Sequence, residues 1–379
     1  MYNGIGFFTY HRNKFIAGYR NRTCRKDRYM SEEYSLTNLP DLKNLVATNY
    51  DLIPEAERPK VTTIGVLTSG GDAPGMNAAL RAVVRSASFF GIKVFGITRG
   101  YHGLWKGEFQ EIGTRQVSET LQRGGTFLMT ARSKTFETPE GVVKGAQMCK
   151  VFGLQALVVI GGDGSYRGAR DLASIGIPVI GLPGTIDNDI ACTEYTIGYD
   201  TAMNTAMEAI DKLRDTASSH ERCSVIEVMG RRAGYIALNV GVATGAEVVL
   251  IPEHPYDFEK DVIRTILACR NMGKRHYIVI VAEGAGDATD IATRIEDATG
   301  IEARPSILGH LQRGGSPTLR DRLMASLMGI HAVECIRAGK LNRLVVYRSG
   351  EISDVDVEKG LKMKKTIKAE ELDRSKYLL

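Results

Sequence analysis

The sequence predicts an α/β fold made of two doubly wound lobes with mostly parallel sheets and a cleft between them. Apolar, β-branched runs recur at 61–67, 92–98, 155–160, 178–182, 223–228, 247–251 and 277–282. Several lack polar alternation, as strands buried on both faces do. Between them lie helical periodicities at 77–90, 165–175, 201–215, 257–272 and 320–338. In 201–215 one face carries Met203, Ala206, Met207, Ile210 and Leu213. Strand alternating with helix requires crossovers that cover both faces of a parallel sheet. The series holds too many strands for one comfortable sheet, so it divides into two lobes. A chain of 379 residues with 43% hydrophobic content is long enough to build both.

The formal charge of +5 is unevenly spread. Residues 1–29 carry seven basic side chains against the single acid Asp27, so the remainder is close to neutral. A basic tail of this kind lacks the periodic basic helix of a nucleic-acid binder, and the body offers none either. Residues 1–60 read as an N-terminal extension, with Met30 an alternative start and 1–29 upstream of it. Six scattered cysteines contain no CxxC pair, which argues against a zinc site or disulfide framework and for reduced thiols in the cytoplasm. The apolar runs are too short to span a bilayer, and the N-terminus lacks the apolar core of a signal peptide. The sequence has no internal repeat or low-complexity segment.

In doubly wound folds ligands sit beyond the carboxyl ends of the strands. Four such ends are unusual here. Thr68-Ser69-Gly70-Gly71-Asp72-Ala73-Pro74-Gly75 follows the first strand and opens a helix. Its glycines let backbone approach a phosphate, and the helix N-terminus offers free N–H groups. The same residues would also make a tight turn capped by Asp72. Gly161-Gly162-Asp163-Gly164-Ser165 places an acid among glycines, suited to Mg²⁺ beside a triphosphate; a capped turn is the plainer alternative. Pro183-Gly184-Thr185-Ile186-Asp187-Asn188-Asp189 carries two carboxylates two residues apart. In an extended segment they face one side, one to accept a hydroxyl proton and the other to attend the metal. A solvated acidic loop is the alternative. Gly309-His310-Leu311-Gln312-Arg313-Gly314-Gly315 sets His310 and Arg313 three apart beside glycines, a clamp for phosphate or sugar. Arg132, Arg222, Arg231 and Arg304 recur near strand ends, and the guanidinium fork matches phosphate oxygens. No GxxxxGK[ST] loop and no convincing GxGxxG occurs, which argues against ordinary P-loop kinases and dinucleotide enzymes.

Taken together, TSGGDAPGMNAA, RGGTFL, VVIGGDGS, GLPGTIDND, EVMGR and GHLQRGGSP, with their spacing, resemble the bacterial-type ATP-dependent 6-phosphofructokinase family from Thr62 onwards. The resemblance implies two Rossmann-like three-layer α/β/α lobes. The larger, ATP-binding lobe would take 61–198 and 312–362; the smaller, fructose-6-phosphate-binding lobe would take 199–311 and 363–379. It also implies transfer of the γ-phosphoryl group of MgATP to the 1-hydroxyl of fructose 6-phosphate. Gly71, Arg132, Ser133 and Gly162, Asp163, Gly164 and Ser165 would bind ATP, with Asp163 serving Mg²⁺. Thr185, Ile186, Asp187, Met229, Gly230, Arg231, Glu283, His310, Leu311, Gln312 and Arg313 would hold the sugar phosphate. Asp187 would be the general base, supported by Asp189 and Thr185, and Arg231 would stabilise the transferring group. Arg222 and Arg304 would reach the 6-phosphate of a neighbouring subunit in a homotetramer.

An effector pocket for ADP or phosphoenolpyruvate would use Arg81, Arg85, Arg214, Gly245, Glu247, Lys274 and Arg275. Thr114 and Met272 stand at positions often basic in the family, with Arg115 and Arg270 close by. Ser133 stands where the family often has an aromatic residue, so one stacking contact near adenosine is expected to be missing. Relatives that use pyrophosphate have Asp at 164 and Lys at 184. Both are glycine here, which selects ATP. Two other rivals are a non-catalytic sugar-phosphate sensor and a lipid or NAD kinase sharing only GGDGS. The retained Asp163, Asp187 and Arg231 oppose the first. The Asp187–Asp189 pair and HLQRGGSP oppose the second.

Overall fold

Unbroken apolar strands, each closed by a glycine-rich turn, alternate with amphipathic helices through most of the chain. The computed structural model describes residues 61–378. The N-terminal extension, the basic tail and the alternative start at Met30 lie outside the described residues. The first stretch runs β1 (Thr63–Thr68), α1 (Met76–Phe89), β2 (Lys93–Ile97), α2 (Gly100–Lys106), β3 (Phe109–Glu111), α3 (Pro139–Val151), β4 (Ala156–Gly161), α4 (Asp163–Ser174) and β5 (Val179–Pro183). There follow α5 (Tyr199–His220), β6 (Cys223–Val228), α6 (Tyr235–Thr244), β7 (Val248–Leu250), α7 (Arg264–Asn271), β8 (Tyr277–Ala282), α8 (Ala288–Thr299) and β9 (Ala303–Ile307). The last are α9 (Leu319–Arg337), β10 (Arg343–Arg348), β11 (Glu351–Asp356), α10 (Val357–Lys362) and α11 (Ala369–Ser375).

Two sheets result. The larger has the order β11-β10-β5-β4-β1-β2-β3, parallel except for its antiparallel edge strands β11 and β3. The smaller, β7-β8-β6-β9, is wholly parallel. This is the parallel-dominated α/β architecture expected. Alternate residues of the larger sheet feed different cores. Ile64, Val66, Val158 and Ile160 enter one, while Leu67, Leu157 and Val159 enter the other. The first of these cores also takes Ile226, Val228, Ile278 and Ile280 from the smaller sheet, so the two sheets share one apolar mass.

All seven expected strands form, within a residue or two. Four more were not anticipated. β3 has only three residues. β9 is an edge strand with mostly exposed side chains and a proline, which an edge tolerates. β11 alternates polar residues on an edge of the larger sheet. It joins β10 through Ser349 (φ 50°) and Gly350 (φ 87°), a two-residue hairpin turn needing left-handed backbone at both positions. The expected helix at 257–272 begins instead as a π turn, Phe258–Ile263, capped by the Asp257 carboxylate, before α7. Helix α6 (YIALNVGVAT) is apolar nearly all round, so it shows no amphipathic period to read.

One buried carboxylate ties these parts together. Asp321 in α9 accepts from Tyr195 Oη at 2.5 Å and Gly198 N at 2.7 Å. It also accepts from Thr201 N at 2.8 Å and Thr201 Oγ1 at 2.5 Å. Its removal orphans several buried donors at once, each costing about 1–3 kcal/mol. We expect Asp321→Ala to lower the stability by at least about 3 kcal/mol, read from the chemical-denaturation midpoint; an unmoved midpoint would refute this.

Candidate active site

The carboxyl ends of β1, β4 and β5 meet where the strand order reverses about β1. That reversal opens the crevice in which doubly wound folds bind ligands. A cavity of about 680 Å³ lies there. Gly70 and Gly71 line it from the end of β1, Gly162, Asp163, Gly164 and Ser165 from β4, and Gly184, Thr185, Asp187 and Asp189 from β5. Arg132 and Ser133 border it, and Arg231 and Arg313 reach it from beyond β6 and β9.

Asn77, buried in the first turn of α1, places the arginine loop. Its Oδ1 accepts from Phe127 N at 2.6 Å, and its Nδ2 donates to the Arg123 and Gly124 carbonyls at 3.1 and 3.2 Å. Thr130 Oγ1 donates to the Gly70 carbonyl at 2.8 Å, drawing the loop that carries Arg132 against the end of β1. Ser133 Oγ caps the following 3-10 turn, accepting from Phe136 N at 3.3 Å. Phe136 stacks on Tyr101 with ring centroids 4.3 Å apart, and both line the cavity. The aromatic surface that position 133 lacks is thus present three residues on.

Gly162 precedes α4 without a side-chain cap, leaving the helix's first N–H groups free at the cavity. Asp163 is half-exposed and pairs with Arg167, whose Nε and Nη2 donate to Oδ2 at 3.0 and 2.8 Å. The acid therefore has a structural partner that the sequence reading missed. Asp72 caps nothing at α1, whose N-cap is Gly75 with no side-chain cap. Instead the Asp72 carbonyl accepts from Arg313 Nη1 at 3.1 Å. A Cβ on Gly71 would stand 2.5 Å from that guanidinium nitrogen, so a side chain there would push the Arg313 head from its present place.

The Asp187–Asp189 segment is bent rather than extended. Asn188 between the two acids has φ 50°, left-handed backbone that a continuous strand excludes. Both carboxylates still line the one cavity. Asp187 is buried, its N–H donating to Thr185 Oγ1 at 3.2 Å, while its Oδ1 has no hydrogen-bond partner among the described residues. Arg231 Nε stands 3.4 Å from its Oδ2. Burial raises the Asp187 carboxyl above its ordinary value, against the opposing pull of Arg231 and Arg313. Asp189 is raised too, by burial first and then by the negative charge of Asp187.

From the smaller sheet, Arg231 also takes left-handed backbone (φ 55°). Glu283 Oε1 holds it there, accepting from Gly230 N at 3.1 Å and Arg231 N at 2.6 Å. Met229 N donates to the Oε1 of the fully buried Gln312 at 2.8 Å. Ile186 is wholly buried, whereas His310 and Leu311 are exposed on the turn before Arg313.

Arg222 and Arg304 are not brought to this cavity. Both pair with Glu302, Arg222 Nε at 2.6 Å, beside the amino-terminal ends of β6 and β9. Six strand steps, about 20 Å, separate Cys223 at that end from Met229. Of the expected effector residues, Lys274 pairs with buried Glu247, and Arg214 donates to the Thr244 carbonyl beside Gly245. Arg275 pairs with Glu221 at 3.3 Å. Arg81 and Arg85 stand on α1, the buried Arg81 Nε without a partner among the described residues.

The family model for phosphofructokinase matches residues 63–336. The chain belongs to the phosphofructokinase family. It is 55% identical over 311 residues to ATP-dependent 6-phosphofructokinase of Clostridium botulinum (strain Loch Maree / Type A3), covering 82% of this chain and 97% of that protein. A Clostridium tetani protein of the same name is 55% identical over 79% of this chain and 93% of its own length. Phosphofructokinase from Saccharomyces cerevisiae superposes with a TM-score of 0.75 at 34% identity over 83% of this chain, which spans only 47% of the yeast chain. A pyrophosphate-dependent phosphofructokinase from Marinobacter aquaeolei gives 0.74 at 22% identity over 84% of this chain and 91% of its own, a likeness of fold alone.

An ionised Asp187 is costly where it stands, which yields an expectation of opposite signs for activity and stability. Its folded-state pKa lies above the unfolded value, so its charge weakens the native state as pH rises through that folded value. We expect Asp187→Asn to leave the melting temperature at pH 7 unchanged or higher. Turnover should fall by about 10²–10⁴-fold. A melting temperature well below wild type would contradict the assignment of burial as the dominant effect.

Proposed function

We propose that this member of the phosphofructokinase family is an ATP-dependent 6-phosphofructokinase, moving the γ-phosphoryl group of MgATP to the 1-hydroxyl of fructose 6-phosphate. The observation that carries the site assignment is the buried, part-unpartnered Asp187 carboxylate. It stands beside Arg231 in a cavity lined by two glycine-rich strand ends. The curated Clostridium relatives, matched over nearly their full length, support the activity.

In this reading Gly71, Arg132, Ser133, the uncapped α4 N-terminus at Gly162 and its neighbours Gly164 and Ser165 hold the triphosphate. Asp187 accepts the proton of the 1-hydroxyl as its oxygen bonds to the γ-phosphorus and the bond to the β–γ bridging oxygen breaks, releasing ADP. Its raised pKa strengthens it as a base, with the charges of Arg231 and Arg313 opposing the effect of burial. Thr185 fixes the turn through the Asp187 N–H. Arg231, free on its exposed side, spreads its charge over the equatorial oxygens of the transferring group. Met229, Gly230, Glu283, His310, Leu311, Gln312 and Arg313 enclose the sugar phosphate, Glu283 by holding the Arg231 turn. The oxygen donors suit Mg²⁺, since Asp163 and Asp189 line the same cavity as the unpaired Asp187 oxygen. Asp163 would hold the ion, which would offset phosphate charge when bound.

We take 61–198 with 312–362 as the ATP-binding lobe and 199–311 with 363–379 as the fructose-6-phosphate-binding lobe. The strand membership of the two sheets supports this division. Arg222 and Arg304, paired with Glu302 away from this chain's own cavity, suit a site shared across a homotetramer. The cluster around Glu247, Lys274 and Arg214 suits an anionic effector such as ADP or phosphoenolpyruvate. The five buried cysteines among the described residues are unpaired, which suits a reducing cytoplasm. Among those residues no helix is long and apolar enough to cross a membrane.

The donor is open to test. A Cβ at Gly164 meets nothing within 4 Å, so an aspartate there projects its charge into the ATP cavity. At Gly184 a Cβ already stands 3.0 Å from Met76 Cε, leaving poor room for lysine. In a coupled assay with fructose 6-phosphate and Mg²⁺, we expect fructose 1,6-bisphosphate from ATP and none from pyrophosphate. Gly164→Asp should weaken ATP use by at least about tenfold, a cost on the order of 1.4 kcal/mol. Turnover with pyrophosphate, or an unchanged response in Gly164→Asp, would overturn the donor assignment.

A further inference from the structure

The segment between α10 and α11 belongs to none of the strand-end motifs, yet it reaches the turn that carries both acids. Lys365 Nζ donates to the Asn188 carbonyl at 2.8 Å and to the Thr193 carbonyl at 3.2 Å. It also stands over the Tyr235 ring, 4.5 Å from the centroid, at the first residue of α6. Its neighbour Ile367 is buried in the core shared by the two sheets, and the Ile367 carbonyl lies 3.0 Å from His254 Nε2. The segment is thus anchored two residues beyond Lys365.

Such a contact has a particular consequence here. Asn188 is the left-handed residue between Asp187 and Asp189, so its carbonyl direction sets how the two carboxylates are presented. A second cavity of about 430 Å³ lies beyond, bordered by Asp163, Asp189 and Lys365. On the far side, Tyr235 follows the Met229–Arg231 turn by four residues. One ammonium therefore joins the turn bearing the base to the element beside the transition-state arginine. Lys365 is half-buried, and burial lowers it to about 8 against the opposing negative charge of Asp189.

We infer that Lys365 is a positioning residue for phosphoryl transfer, pinning the strained Asn188 turn against α6 so that Asp187 and Arg231 keep their alignment. This rests on the phosphofructokinase reading of the cavity. Displacing reacting groups by about 1 Å costs up to about 100-fold in rate, whereas substrate binding spread over many contacts changes little.

The test is steady-state kinetics of the full chain with ATP, Mg²⁺ and fructose 6-phosphate, for wild type, Lys365→Met and Lys365→Arg, with melting temperatures alongside. We expect Lys365→Met to lose between about 10- and 100-fold in kcat with little change in either KM. Lys365→Arg keeps charge and donors and should regain most of that loss. If Lys365→Met does not fold, Lys365→Gln, which retains an N–H donor, is read for the same split. Wild-type kcat in the Met or Gln variant, a loss carried by KM, or an arginine variant as impaired as the methionine one overturns the inference alone. A wild type that makes no fructose 1,6-bisphosphate overturns the phosphofructokinase reading, and this inference with it.

Discussion

Much of the molecule hangs on a single carboxylate with four donors around it. Asp321 sits fully buried in the first turn of α9, and nothing but dense hydrogen bonding makes its burial tolerable. Its partners are chosen with consequence: Tyr195 and Gly198 lie on the return path of the loop that begins at Asp187, and Thr201 lies in the first turn of α5. The loop leaves β5, crosses the mouth of the cavity and re-enters the core at Ile197, whose N–H donates to the Pro183 carbonyl at 2.7 Å. Asp321 closes that circuit, so α9 behind the sheet sets the position of the acids in front of it.

Within the cavity the electrostatic logic runs the other way. Among the described residues, Asp187 is buried with one oxygen unpaired and only Arg231 in ion-pair range. A carboxylate held for stability would carry the donors that Asp321 carries. The shortfall at Asp187 fits the general-base role proposed for it, with its energetic cost borne by the surrounding core. Arg231 and Asn188 add left-handed backbone at the same place. Strain, incomplete hydrogen bonding and raised carboxyls coincide there.

Legibility in the sequence followed burial. β1, β4, β5, β6 and β8 are wholly or nearly wholly buried, so their composition is apolar without alternation. β9 and β11 are edges whose residues answer to solvent as much as to the sheet, and their period fades. Helix α1 has one apolar face against α9 and could be seen, whereas α6 has apolar residues all round and could not. β10 (RLVVYR) did carry a short apolar run and was passed over.

The residues of the site divide along the same line. Glycine-rich strand ends are local chemistry, since a backbone that approaches phosphate must shed its side chains within a few consecutive positions. Gly71, Gly162–Ser165 and Asp187 therefore stood out in the chain by themselves, as did the α/β class and the two-lobed plan. What lies far apart in sequence left no such mark. Arg167 beside Asp163, Glu283 beneath the Arg231 turn, Asn77 under the Arg132 loop and Lys365 on the Asn188 carbonyl are ordinary polar residues until folding sets them opposite a partner. The sequence by itself determined which segments could meet a phosphate. The tertiary structure decided how each was held and which acid was left unpaired, because pairing and desolvation are properties of the packed surroundings and not of any stretch of chain.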